Sequence, residues 1–450
     1  MLLELSPELL QEIGIQLATP DQKNVRLTCR SINLATQPVF FSCLTLQVGG
    51  RGRNFEILDA ILAGKTGWPR WARTLKLVPL VAPADVASDD SRSDPLVREV
   101  FTALLASLPN LRTVRWQTYG SDPDWARGVV SGFLGDLAGL KDFRLDVAAR
   151  AGVPLCVIGG LTSLTLTSPA WPPRDLTSWI WKTILKSCTT LVALNVSGYD
   201  FKISDIWTRL ASMASLGGPD SVRLTELTAN NITPDLLTYL GSYSGLRRLN
   251  LQYPDGGSEA ESDRLADLFF ETVLPRHTNS MVELSCPAGF EGRWSFGIHN
   301  IDVFSQLRHL TQLEISVNAD EVSRVKPEDN VIRLLLQTIT RIPALRTLAI
   351  VPANTEKNRG ARCGSGWSHY NRIVKKSIRV TVESFRTQIP STVLLRVGYR
   401  WYRLKPVSID AHSSLGGGES ASQAPVLAYH EFRHPDIPWQ RLRIFDDEDE

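Results

Sequence analysis

The chain has 450 residues, 43% of them hydrophobic and 21% charged. This is a globular balance on a chain too long for one compact core, so several domains or a repeat array are expected. The formal net charge of +2 is too small to point to a nucleic-acid partner. The six cysteines (Cys29, Cys43, Cys156, Cys188, Cys286, Cys363) form no CxxC pair; scattered thiols of a reducing compartment explain them better than a disulfide framework. No apolar run approaches the ~20 residues of a membrane span, and MLLELSPELLQEIG lacks the basic start of a signal peptide. A cytoplasmic or nuclear protein is expected, in which the sequons at Asn195 and Asn231 carry no meaning.

Ser6 can cap a first helix with Pro7 in its first turn, where a missing N–H costs nothing. Leu9, Leu10, Ile13 and Leu17 follow at helical spacing, and Gly14 weakens the helix. Thr19-Pro20-Asp21-Gln22 is a second start signal, with Val25, Leu27 and Cys29 as apolar contacts. A third segment runs from Ser31 towards Phe40, interrupted by Pro38. Three helices this short cannot bury their own apolar faces well, so they lean on a partner or on the next domain.

This opening resembles the F-box. The resemblance lies in Leu5, Pro7, Glu8-Leu9-Leu10, Ile13, Leu17, Asp21, Val25-Arg26 and Cys29-Arg30, roughly a tenth of the chain. Proline stands one place later than in the usual Leu-Pro opening, and Ile32-Asn33 follows the Cys-Arg pair where an aromatic is common. The resemblance implies docking on the Skp-type adaptor of a cullin-based ubiquitin ligase. The docking residues would be Leu5, Pro7, Leu9, Leu10, Ile13, Leu17, Val25, Leu27, Cys29 and Arg30. The competing reading is a plain helical cap on a repeat array.

The pattern apolar-x-x-apolar-x-apolar then recurs. It appears as Phe41/Leu44/Leu46, Ala72/Leu75/Leu77, Leu111/Val114/Trp116, Leu140/Phe143/Leu145, Leu161/Leu164/Leu166 and Leu191/Leu194/Val196. It continues as Leu224/Leu227/Ala229, Leu246/Leu249/Leu251, Met281/Leu284/Cys286, Leu310/Leu313/Ile315 and Leu345/Leu348/Ile350. The intervals run from 21 residues (Phe143 to Leu164) to 39 (Leu75 to Val114). Helical stretches lie between, as at Leu96, Val97, Val100, Phe101, Leu104, Leu105 and Leu108, and at Val331, Ile332, Leu335, Leu336 and Ile339. The predicted fold is α/β: a short three-helix F-box, then an irregular leucine-rich-repeat solenoid with a parallel inner sheet and outer helices. The repeat family's asparagine after the strand falls only on Asn318, hence the irregularity. A β/α barrel is the competing architecture; it would need strands of similar weight and catalytic groups at their C-terminal ends, and the sequence offers neither.

The expected divisions are a docking module over 1–46, the solenoid over 47–404, and a linker with acidic tail over 405–450. Within these, 82–94 and 352–377 read as loops, the second basic, and 393–404 as a last strand. Residues 412–424 read as a Gly/Ser linker and 446–450 as a solvated acidic end.

The pattern HExxH occurs at His430-Glu431-Phe432-Arg433-His434, but Pro435 takes His434 out of helical geometry and no further ligand follows. There is no Walker-type loop, no GxGxxG and no GxSxG. The expectation is therefore no enzyme, no metal, no cofactor, no nucleic acid and no membrane. The partners would be the adaptor, the cullin scaffold and a target protein; a ligase-independent repeat scaffold is the alternative.

The fifth position of each triad points away from the core. Three successive repeats place Lys76, Arg115 and Arg144 there, flanked by Arg73, Arg112 and Lys141. The expected target-binding residues are Lys76, Arg112, Arg115, Lys141 and Arg144, with an acidic or phosphorylated segment of the target as their ligand.

Overall fold

The computed structural model describes residues 4–48, 53–79, 95–119, 122–148, 155–168, 176–198, 204–215, 221–323, 330–359, 365–407 and 425–433. The expected loop at 82–94, the linker at 412–424 and the acidic end lie outside them. The chain divides into two compact units, one of residues 1–206 and 217–222, the other of 207–216 and 223–450.

The first unit opens with three helices, α1 (Pro7–Gln16), α2 (Thr19–Arg26) and α3 (Arg30–Phe40). It continues as β1 (Cys43–Val48), α4 (Arg53–Leu62), α5 (Trp68–Trp71), β2 (Thr74–Pro79), α6 (Pro95–Ala106), β3 (Thr113–Tyr119), α7 (Asp124–Asp136) and β4 (Asp142–Ala148). Then come β5 (Ser163–Ser168), α8 (Leu176–Lys186) and β6 (Ala193–Gly198). The six strands pair in parallel, and their spatial order is their sequence order. Each crossover therefore advances by one strand, and among the described residues nothing pairs β1 with β6 to close a barrel.

The apolar triads set this register. Leu44, Leu75, Val114, Phe143, Leu164 and Leu194 are successive partners across the strands, as are Leu46, Leu77, Trp116, Leu145, Leu166 and Val196. Every one of these side chains is buried. Full burial of a leucine is worth about 1.5–3 kcal/mol, and a slip of one residue would turn both rows out to solvent. Val97, Val100, Phe101, Leu104 and Leu105 bury one stripe of α6, while Leu96 is exposed.

In the second unit α9 (Ser204–Ser215), which begins in the first, is followed by β7 (Glu226–Ala229), α10 (Pro234–Gly241), β8 (Arg248–Leu251), α11 (Glu259–Leu268) and β9 (Glu283–Cys286). Next are α12 (Ile301–Ser305), β10 (Gln312–Val317), α13 (Ala319–Ser323), α14 (Val331–Ile339) and β11 (Thr347–Pro352). The unit ends with α15 (Ser365–Ser384), β12 (Arg386–Thr387), β13 (Leu394–Val397), β14 (Arg400–Pro406) and β15 (Leu427–Phe432). Strands β7 to β11 and β13 are parallel, with Leu227, Leu249, Leu284, Leu313, Leu348 and Leu395 in one row. The sheet then turns antiparallel through β14, β15 and β12.

Three segments depart from the sequence reading. Residues 365–377 are helical, because α15 runs on to Ser384 and buries Val374, Ile378 and Val382 at four-residue intervals. The expected single strand over 393–404 is a hairpin that turns at Gly398 and Tyr399, with Gly398 at φ 60°. Beyond residue 405, β15 pairs along the whole of β14 except its first residue. No helix among the described residues is long and apolar enough to cross a membrane.

One buried histidine couples the second unit to pH. His277 accepts a hydrogen bond at Nδ1 from the Leu246 amide (3.3 Å) and lies 3.0 Å from the Leu240 carbonyl at Nε2. These two bonds together require the neutral ring protonated at Nε2. Burial, with Arg276 nearby, holds its pKa below the ordinary histidine value. The unfolded state therefore binds a proton first as pH falls, so stability is full above the ordinary pKa of about 6.5 and declines below it. Thermal unfolding between pH 7.5 and 5.5 should show a falling midpoint, and His277→Gln should flatten that dependence even though it lowers the midpoint at pH 7.5.

Candidate binding surfaces

The helical opening has a filled interior and an apolar exterior. The Ser6 side chain accepts from the Leu9 amide at the start of α1, and Pro7 sits in the first turn. Helix α3 packs against both α1 and α2. Leu10 (6% exposed), Ile32, Ala35 and Thr36 form the inner side. Gln22 Nε2 donates to the carbonyls of Gly14 (2.9 Å) and Leu17 (3.0 Å), holding the end of α1 to α2. Arg26 donates through Nε to Asn33 Oδ1 (2.9 Å), and its guanidinium covers the rings of Phe40 and Phe41 at 4.0 and 4.5 Å. Arg26 thus serves the packing of the module.

Leu9 (52% exposed), Ile13 (43%) and Leu27 (77%) face solvent, and so do Ile15 and Leu34. Leu9 and Ile13 are four apart and share one side of α1. Of the other expected docking residues, Pro7 and Arg30 are exposed and Leu5, Leu17, Val25 and Cys29 are half-buried. Leu10 points inward and is out of a partner's reach. Sequence reading had not singled out Ile15 and Leu34. On so short a module, this much exposed apolar surface is the kind that marks an interaction site.

The second surface is the face of the first unit's sheet that carries no buried row. Thr45, Lys76, Arg115, Arg144, Thr165 and Asn195 are successive partners across it. The expected ladder of Lys76, Arg115 and Arg144 is therefore in register. At the ~4.8 Å spacing of neighbouring strands, adjacent cations repel by about 1 kcal/mol in water. Arg144 is compensated, because its Nε donates to both oxygens of Asp146 at 3.0 Å. Lys76 and Arg115 have no ion-pair partner among the described residues. The flanking cations differ from one another. Arg73 donates to the Asn110 carbonyl (3.2 Å) and Lys141 to the Gly160 carbonyl (3.3 Å), whereas Arg112 is exposed.

The second unit treats its own open face differently. Arg248 reaches Glu226 (3.0 Å) and Glu283 (3.1 Å), one on each neighbouring strand. Glu314 accepts from Ser285 Oγ and from Arg396 Nη2, both at 2.8 Å. Its cross-strand charges are neutralised from within.

His430 and Glu431 lie on the extended strand β15, and Glu431 pairs with Arg400 at 2.7 Å. This is a strand register and an ion pair, with none of the helical geometry that the HExxH chemistry uses; His434 lies outside the described residues. Among the described residues no three His, Cys, Asp or Glu side chains gather in a metal-holding group. Compared with known proteins, the chain matches no family model and no curated protein.

Proposed function

We propose that this chain is a non-enzymatic substrate receptor of a cullin-based ubiquitin ligase. The opening helices act as an F-box that docks a Skp-type adaptor, and the strand rows act as a leucine-rich-repeat-like surface that holds the target. The observation carrying this reading is the division of α1. Leu10 and the inner side of α3 complete the module's packing, while Leu9 and Ile13, at F-box-like positions, stay exposed. A helical cap on the array has no use for an apolar outer face. No residue need perform chemistry in this role; the receptor raises the target's effective concentration near the ligase. In a cell it would work in the cytoplasm or nucleus.

The test is direct mixing. The purified chain and a purified Skp-type adaptor should co-elute from a sizing column at micromolar concentration. Separate elution would leave a ligase-independent scaffold as the reading.

A further inference from the structure

We propose that Lys76 and Arg115, on the open face of the first unit's sheet, seat the carboxylates of an acidic, extended segment of the target protein. This deepens the receptor reading and rests on it for the identity of the ligand as a target.

Three observations carry the assignment. First, the two cations are direct partners across β2 and β3, so their side chains rise side by side from neighbouring strands. Second, of the carboxylates on β4, Asp146 is paired with Arg144 and Asp142 accepts from Thr113 Oγ1 at 3.3 Å, and neither forms an ion pair with Lys76 or Arg115. Lys76 and Arg115 are thus without an ion-pair partner among the described residues. Third, cations on the same face of the second unit are paired within it, Arg248 with Glu226 and Glu283 on its two neighbouring strands and Arg396 with Glu314 across β11. A free pair in one unit and bound pairs in the other is a difference of sequence, since the strands carrying them pair in parallel in both.

The arrangement also selects the source of the negative charge. The row Thr45, Lys76, Arg115, Arg144, Thr165 and Asn195 offers hydrogen-bond donors one strand apart, across six strands. Donors spread over neighbouring strands in this way suit successive carboxylates along a chain. A phosphate gains most where free backbone amides join the cations around it, and the backbone amides here are spent in the ladder. Nucleic acid needs many phosphate contacts for its affinity, and a free pair supplies too few.

The probes are fluorescein-labelled octaglutamate, octaglutamine, a neutral peptide bearing one phosphoserine, and an oligothymidylate, each titrated with the full chain by fluorescence anisotropy. Octaglutamate should bind, and should weaken as salt rises. The double variant Lys76→Glu, Arg115→Glu should weaken it by about tenfold or more. Lys76→Gln with Arg115→Gln should weaken it in the same direction without reversing charge, which guards against misfolding. Arg248→Glu, on the self-neutralised face, should leave it unchanged. Octaglutamate binding no better than octaglutamine, or binding indifferent to the double variant, overturns the proposal. Tighter binding of the phosphoserine peptide or the oligothymidylate overturns the carboxylate assignment. Adaptor co-elution of the same samples separates the two readings: co-elution without octaglutamate binding sinks this inference alone, and octaglutamate binding without co-elution sinks the ligase reading alone.

Discussion

Replacing Leu9 and Ile13 together with aspartate is expected to abolish adaptor capture and leave the thermal unfolding of the chain where it was. Both side chains face solvent in the free chain, so the substitutions fall among surface changes worth within about 0.5 kcal/mol of stability. At an interface the same two carboxylates lose their water without gaining partners, at several kcal/mol each. Every 1.4 kcal/mol is about a tenfold change in affinity, so capture should fall by about a thousandfold or more. Leu10→Asp is the informative contrast. Leu10 lies inside the module, so that variant should unfold the helices and lose the adaptor for a reason unrelated to docking. Retained capture by the Leu9/Ile13 variant, measured with the purified adaptor, would remove α1 from the interface.

Trp116→Ala is expected to cost about 3–5 kcal/mol of stability, a large loss for a single core change. Trp116 is 0% exposed. It stands between Leu77 and Leu145 in the buried row of β3. Its loss opens a cavity against strands on both sides, and neighbours held in a ladder cannot collapse far into it. The indole Nε1 is buried without a hydrogen-bond partner. Trp116→Phe therefore forfeits packing but no hydrogen bond, and should cost clearly less than the alanine. Denaturant unfolding followed through a probe of the first unit checks both. A loss below about 1 kcal/mol for the alanine variant would mean that the row is not the core described here.

The repeat was legible because one physical rule wrote it many times. Each triad buries its second and third residues on the same face, and parallel pairing puts like positions beside one another, so strands β1 to β11 are where the pattern puts them. The cation row was legible by the same logic, since the position between two buried residues must point outward. Its compensation was harder to see. Arg144 and Asp146 are two apart on one strand and so share a face. Arg396 and Glu314, however, are 82 residues apart and meet only through the fold.

The opening three-helix segment was legible as helices but not as faces. Leu9, Leu10, Ile13, Ile15 and Leu17 spread apolar character around much of α1, and only packing against α3 shows that Leu10 turns inward. Helix α15 was missed because Arg372, Lys375, Lys376 and Arg379 surround its buried stripe, which begins near the end of the stretch that read as a loop. In the closing hairpin Gly398 sat in plain view as a turn signal.

The central claim is that the opening helices couple this chain to a ubiquitin ligase. Affinity purification of the full chain from cells, beside the Leu9→Asp, Ile13→Asp variant, tests it most directly when the recovered proteins are identified by mass spectrometry. The prediction is a Skp-type adaptor and a cullin with the unaltered chain, and neither with the variant. Recovery of neither protein with the unaltered chain, or of both in equal amounts with the two chains, would contradict it.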